Sequence, residues 1–218
     1  DFMFNPAEID FVLLTHAHID HSGLLPKLWK KGFAGKIYCT NGTYDLCTVM
    51  LPDSAHVQEG EVERKNRKNA RAGLPLLEPI YTVENAMETC NHIIGKDYWE
   101  PFKPTPDVEI VFKDAGHILG SAMAVIKYTD EQGKQEEILF SGDIGRYNHF
   151  IVKDPTVIGN ADYIVMETTY GNRLHNEKHI DVEARRKTLA ATIIDTFKHG
   201  GNVIIPAFAV DRCQDLIM

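Results

Sequence analysis

The chain of 218 residues is 44% hydrophobic with a formal net charge of −8, which is enough for one buried core plus the start of another domain. No run approaches the roughly 20 apolar residues of a membrane span, and the acidic balance does not announce a binder of phosphate backbones. Cys39, Cys47, Cys90 and Cys213 form no Cys-x-x-Cys pair, so free thiols, a reducing cytoplasm and no membrane partner are the expectation.

Strand and helix signals alternate along the chain. An apolar run predicts a strand over 11–15, followed by a loop and a helix near 22–31 that stops at Gly32. Residues 36–40 read as the next strand. Helices are expected near 42–51 and 53–72, and a third near 82–94 with Thr82 as its N-cap. Residues 101–106 read as a loop. Strands are predicted near 108–113 and 121–129, with a hairpin turn at 131–134 leading into a strand at 136–142. A strand at 162–167 precedes a boundary near 172–178. Beyond it come a helix over 180–198, the pair Gly200-Gly201, a strand over 202–206 and a helix over 210–218. The pattern lacks internal repeats.

The densest chemistry lies in Leu13-Leu14-Thr15-His16-Ala17-His18-Ile19-Asp20-His21-Ser22-Gly23. Side chains two apart in extended chain point the same way, so His16 and His18 can grip one cation together. Asp20 and His21 lie in the turn toward a helix and can face a second cation beside it. Imidazole plus carboxylate suits zinc, with iron or manganese as alternatives. Two later pieces follow in order. Gly116-His117 comes after the β-like run at 108–112, and Gly142-Asp143 comes after Ile138-Leu139-Phe140. Glycine beside each would permit the turn that aims a side chain out of a strand end.

This order of motifs resembles the His-x-His-x-Asp-His signature and later ligands of the metallo-β-lactamase fold. Val165-Met166-Glu167-Thr168-Thr169-Tyr170-Gly171 looks like the acidic motif that opens the β-CASP insertion, a mark of nucleic-acid-processing members. The segment from Asn202 to Arg212 resembles the first strand and helix start of that insertion, although the family usually has Gly where Asp211 stands. Residues 51–59 also look like this branch. The chain is thus similar to β-CASP ribonucleases, bacterial and archaeal relatives of the mRNA 3′-end cleavage nuclease.

The resemblance implies an α/β architecture: an incomplete metallo-β-lactamase αββα sandwich over residues 1–177 and the beginning of a β-CASP α/β domain over 178–218. It implies that His16, His18 and His117 hold one divalent ion, that Asp20 and His21 hold a second, and that Asp143 bridges them. Asp20 would orient the attacking water, and Glu167 would orient a ligand or catalytic histidine. RNA, single-stranded in preference, is the implied substrate, with DNA and a homodimeric assembly left open. Family members carry a strand pair before the point where this chain starts and two further functional histidines after Met218. The resemblance therefore implies a fragment that is inactive, or nearly so, by itself.

Two other readings compete. A thioesterase or lactamase-like hydrolase could use the same scaffold, because fold does not fix substrate. A non-catalytic scaffold subunit of an RNA-processing complex is the second, against which the six retained ligand positions argue. Arg64-Lys65-Asn66-Arg67-Lys68-Asn69-Ala70-Arg71 puts five basic residues in eight positions; it reads first as a solvated helix face and second as a phosphate-contacting stripe. His56, His92, His149, His175, His179 and His199 fall outside the ligand pattern.

Overall fold

The structure, a computed structural model, describes residues 2–173 and 182–217. It divides into two compact units, Asp1–Glu167 and Thr168–Met218. The first holds strands β1 (Phe11–Leu13), β2 (Lys36–Thr40), β3 (Ile93–Lys96), β4 (Phe102–Thr105), β5 (Val108–Asp114), β6 (Ala122–Thr129), β7 (Gln135–Phe140) and β8 (Tyr163–Val165). Its helices are α1 (Ile19–Ser22), α2 (Leu25–Lys30), α3 (Asn41–Ala72) and α4 (Val83–Cys90).

The strands form two sheets. β1, β2 and β3 are parallel in that order, and β4-β5-β6-β7-β8 form a five-stranded sheet, antiparallel except for the β7–β8 pair. Alternation along each strand explains the layers. Val12, Leu14, Ile37 and Cys39 point to the helical side, where they pack with Leu25, Leu28, Cys47, Leu51, Ala55 and Ala86. Phe11, Leu13 and Tyr38 point the other way, onto Ile110, Phe112, Ala122 and Ala124 of the five-stranded sheet. Met123, Val125 and Leu139 turn to that sheet's far face, where Ile158 and Ala161 pack against them. Each fully buried Leu, Ile, Phe, Val or Met among them contributes ~1.5–3 kcal/mol relative to exposure. The two faces of each sheet are therefore committed, and a one-residue slip would put polar side chains into both cores.

Several elements differ from expectation. The helix predicted near 22–31 is two short ones, interrupted at Gly23 and Leu24, with Pro26 in the first turn of α2, where proline is tolerated. The helices expected at 42–51 and 53–72 are one 32-residue helix with Pro52 inside it. Thr43, Cys47, Leu51 and Ala55, one turn apart, are fully buried on both sides of the proline, and this packing outweighs the lost backbone bond.

The helix expected over 82–94 ends at Cys90, and residues 93–96 form β3 beside β2. Thr82 is the N-cap, in a capping box with Asn85. Residues 101–106 are not a loop: β4 pairs with β5 at the sheet edge, the one place where Pro104 costs no ladder bond.

In the second unit, α5 (Val182–Lys198) and α6 (Arg212–Ile217) are helical. The predicted starts at 180–181 and the predicted end at 218 lie outside the described residues. The strand expected at 202–206 does not form; among the described residues no neighbour in this unit offers it a ladder, and an isolated strand leaves its backbone groups unpaired. No helix among the described residues is long and apolar enough to cross a membrane.

Candidate metal centre

Three loops at strand ends meet above the two sheets. The first leaves β1 at Leu14, whose N–H still bonds Tyr38 O at 2.9 Å, and carries His16 and His18 before entering α1. Buried Ser22 fixes the turn, its hydroxyl lying 2.9 Å from Ala17 O and 3.0 Å from His18 O. The second loop joins β5 to β6 and carries His117. Ser121 Oγ accepts from the N–H groups of His117 at 2.9 Å and Ile118 at 3.2 Å, holding the loop as a tight turn. Gly116 sits at φ 63°, a conformation that side-chain-bearing residues rarely adopt.

The third loop follows β7 and carries Asp143. Gly145 N–H bonds Ala115 O at 2.8 Å, and a Cβ on Gly145 would overlap the Gly116 carbonyl. The second and third loops can touch because Gly145 carries no side chain, and a Cβ on Gly116 would meet Lys153 O and Pro155. The carbonyl of Gly120, at the end of the His117 loop, accepts from Thr40 Oγ1 (2.5 Å) and Thr43 Oγ1 (2.8 Å) at the start of α3.

The donors converge. His18 Nδ1 lies 3.1 Å from His16 Nε2 and 3.1 Å from His117 Nε2. Asp143 Oδ2 is 3.7 Å from His16 Nε2 and 3.6 Å from His117 Nε2. One ligand atom from each of these four residues lies within 4.8 Å of all the others. Four tetrahedral donors at zinc-like bond lengths sit about 3.3–3.4 Å apart, so the spacing suits one cation. Hydrogen bonding among the rings is a poorer account. His18 Nδ1 faces two other ring nitrogens and can give at most one proton.

Asp143 divides its oxygens. Oδ2 faces the cluster just described, while Oδ1 lies 3.3 Å from His21 Nε2. His21 Nε2 is also 3.8 Å from Asp20 Oδ2. The structure thus brings His16, His18, His117 and Asp143 into one cluster and places His21 and Asp20 beside it as a second, sparser group. Asp20 stands outside the four-residue cluster with its side chain 78% exposed.

Burial keeps His16 available as a ligand. His16 is fully buried, and burial first, then His21, His117 and His18, push its imidazole down to about 3. It is neutral at ordinary pH and can offer a lone pair. Thr15 Oγ1 lies 3.2 Å from His16 Nδ1, so coordination through Nε2 leaves Nδ1–H to donate to that hydroxyl, which fixes the ring.

Glu167 touches the site through the backbone. Its Oε1 accepts from Ile144 N at 2.7 Å, and its own N–H donates to Ser141 Oγ at 3.0 Å. It braces the turn that carries Asp143. Thr15, Ser22, Ser121 and Ser141 belong to no ligand motif in the sequence. Their one visible signal is a hydroxyl within four residues of each ligand. His149 has its ring Nδ1 3.3 Å from Ile151 N.

An α/β sandwich that gathers three imidazoles and a carboxylate at its strand ends is a scaffold for divalent metal. Residues 4–191 match the family described as the Metallo-beta-lactamase superfamily, and the chain belongs to it. Among curated relatives, a ribonuclease of Thermus thermophilus is 33% identical over 99% of this chain and 44% of its own length. The transcription termination factor FttA of Methanothermobacter thermautotrophicus is 34% identical over 99% of this chain and 31% of its own. FttA of Thermococcus kodakarensis is 32% identical over 100% and 31%. The chain therefore spans less than half the length of these relatives. Among solved structures, a subclass B3 metallo-beta-lactamase from a soil metagenome library matches 63% of this chain and 43% of its own, with 17% identity and a TM-score of 0.39.

Proposed function

We propose that this chain carries the metal-binding part of a hydrolase that cleaves RNA phosphodiester bonds, single strands before duplexes, with two divalent cations as cofactors. The observation that carries the proposal is the split of Asp143 between the His16–His18–His117 cluster and His21. Support for RNA comes from the relatives named ribonuclease and transcription termination factor, which match almost the whole chain. Residues from about 178 onward would begin a second domain of β-CASP type.

His16 Nε2, His18 Nδ1, His117 Nε2 and Asp143 Oδ2 would hold the first cation, and Asp143 Oδ1, His21 and Asp20 the second. Bound there, zinc, or manganese or iron in its place, would supply Lewis acidity and lower the pKa of water to about 7. The chain's own residues do the rest. Asp20, exposed at the mouth, accepts a hydrogen bond from the attacking water and aims it at phosphorus. Asp143 holds the two halves of the site at a fixed separation. Glu167 keeps Asp143 in place through Ile144 N. Neutral His16, held by Thr15, supplies a lone pair without first releasing a proton at neutral pH.

The test uses the full-length protein on end-labelled single-stranded RNA with zinc or manganese. Cleavage is expected, and His16→Ala or Asp20→Ala should abolish it with the fold retained. Hydrolysis of a thioester or β-lactam without any cut in RNA or DNA overturns the reading, and a cut in DNA alone moves the substrate to DNA.

A further inference from the structure

Helix α3 is much longer than the core it serves. Its buried residues are Thr43, Cys47, Leu51 and Ala55; beyond Glu59, whose Oε1 accepts from Val83 N at the start of α4, the helix runs on to Ala72 with no buried side chain. This distal part is built nonetheless. The chain turns at Gly73, in the left-handed conformation, and returns along the helix. Asn66 grips the returning backbone at Leu77 through a pair of 2.8 Å bonds, and Asn69 donates to Pro75 O at 2.9 Å. The arm is thus a helix with its own strap.

The strap occupies one face, and the opposite face is basic. At about 100° per residue, Asn66 and Asn69 point to the strap side, while Arg64, Arg67, Lys68 and Arg71 fall within about 100° of arc on the other side, and Lys65 lies about 60° beyond that arc, between it and the strap. All five are exposed. Arg64 makes a long 3.8 Å pair with Glu61; Lys65, Arg67, Lys68 and Arg71 have no ion-pair partner among the described residues. A cluster of one sign on a chain of net charge −8 is where the general repulsion of a polyanion reverses.

The arm lies far from the metal centre, not at its rim. α3 begins against Gly120, three residues beyond His117. At about 1.5 Å per residue, Arg64 stands about 30 Å and Arg71 about 40 Å further along the helix axis.

We propose that the exposed basic face of α3, from Arg64 to Arg71, is an anchoring site for the phosphate backbone of single-stranded RNA, distal to the metal centre. This deepens the nuclease reading and rests on it for the identity of the polyanion. The strap leaves the basic face open to a strand, and the length of the arm sets a length threshold. At about 3.4 Å per stacked nucleotide, a hexanucleotide cut at its middle ends far short of Arg64, whereas a strand of about 30 nucleotides reaches past Arg71.

The experiment compares the full-length protein with its Lys65→Gln/Arg67→Gln/Lys68→Gln/Arg71→Gln variant. Glutamine keeps helix propensity, and circular dichroism and metal content check the fold. Binding of a labelled RNA of about 30 nucleotides is measured across a salt series with a chelator present; cleavage of that RNA and of a hexanucleotide is measured with metal. The variant should bind the long RNA at least about tenfold more weakly, with a salt slope lower by about 2–3, near 0.7 for each phosphate contact removed. Hexanucleotide cleavage should be unchanged. Unaltered long-RNA affinity and slope overturn the proposal, and so does an equal loss on both RNAs, which would put the charges at the cleft. If wild-type protein cuts neither RNA, the nuclease reading fails, while the binding series still decides the arm.

Discussion

The carboxylate of Glu167 accepts a 2.7 Å hydrogen bond from the backbone N–H of Ile144, the residue that follows Asp143. This acidic group acts one bond out from the ligand, on the turn that aims it. Glu167→Ala should weaken metal binding about 10–100-fold, the usual cost of losing a group that braces a ligand. Glu167→Gln, which keeps an acceptor oxygen, should recover most of it. Zinc titration against a competing chelator reads the difference; identical affinities for all three proteins would assign Glu167 to packing alone.

The two halves of the metal site should separate by mutation. His117→Ala removes a donor from the four-residue cluster and should lower metal content and activity together. Asp20→Ala touches only the exposed edge and should leave at least one ion per chain while abolishing cleavage. Elemental analysis of each purified full-length variant decides it. Complete loss of metal from Asp20→Ala would mean that the two groups bind as one.

Gly145→Ala tests the contact between the two loops. The added methyl group collides with the Gly116 carbonyl and strains the Gly145 N–H to Ala115 O bond. A loss of about 1–3 kcal/mol in stability is expected, together with weaker metal binding, since the His117 and Asp143 loops separate. Urea unfolding of the metal-free and zinc-loaded variant measures both.

Metal should stabilise the folded protein by mass action. Zinc at about a hundred times its Kd adds about 2.7 kcal/mol, which for a chain of this size raises Tm by roughly 5–10 °C. A chelator should reverse the shift, and His16→Ala should eliminate it.

The metal-free protein should lose stability in acid through His16. Its imidazole is pushed down to about 3 in the folded state, against about 6.5 unfolded. Above pH 6.5 both states are neutral and the His16 contribution is fully present. As pH falls from about 6.5 toward 3, only the unfolded chain gains the proton and stability is lost. A His16→Gln variant should show a flatter profile across that window, followed by urea midpoints at fixed pH.

Signals confined to neighbouring residues were readable before the structure. Thr82 announces its helix because a cap and its partner Asn85 lie three residues apart. The β5–β6–β7 meander shows its alternation because each strand pairs with the next one in sequence. β3 did not show itself, because Ile93 and Ile94 become a strand only by pairing with Ile37 and Tyr38, far back in the chain. Pro52 read as a helix break because the packing of Leu51 and Ala55 that overrides it is tertiary. At the site, His16, His18, His117 and Asp143 stood out by residue type and order. The bonds from Ser121 and Glu167 to backbone N–H groups did not, since a hydroxyl or carboxylate near a ligand carries no mark of where it points.

The distance in sequence between His18 and His117, which meet at 3.1 Å across 99 residues, gives the metal site a mechanical meaning. Two donors, His16 and His18, hang from the three-stranded sheet and two, His117 and Asp143, from the five-stranded sheet, so a shared ion ties the two layers together at one end as a clasp. Parting the two layers then requires releasing the ion, so both sheets share its binding free energy. Hydrogen exchange at Ile37 and at Val125, one amide in each sheet, should therefore slow in concert when metal is added and quicken in concert when it is stripped away.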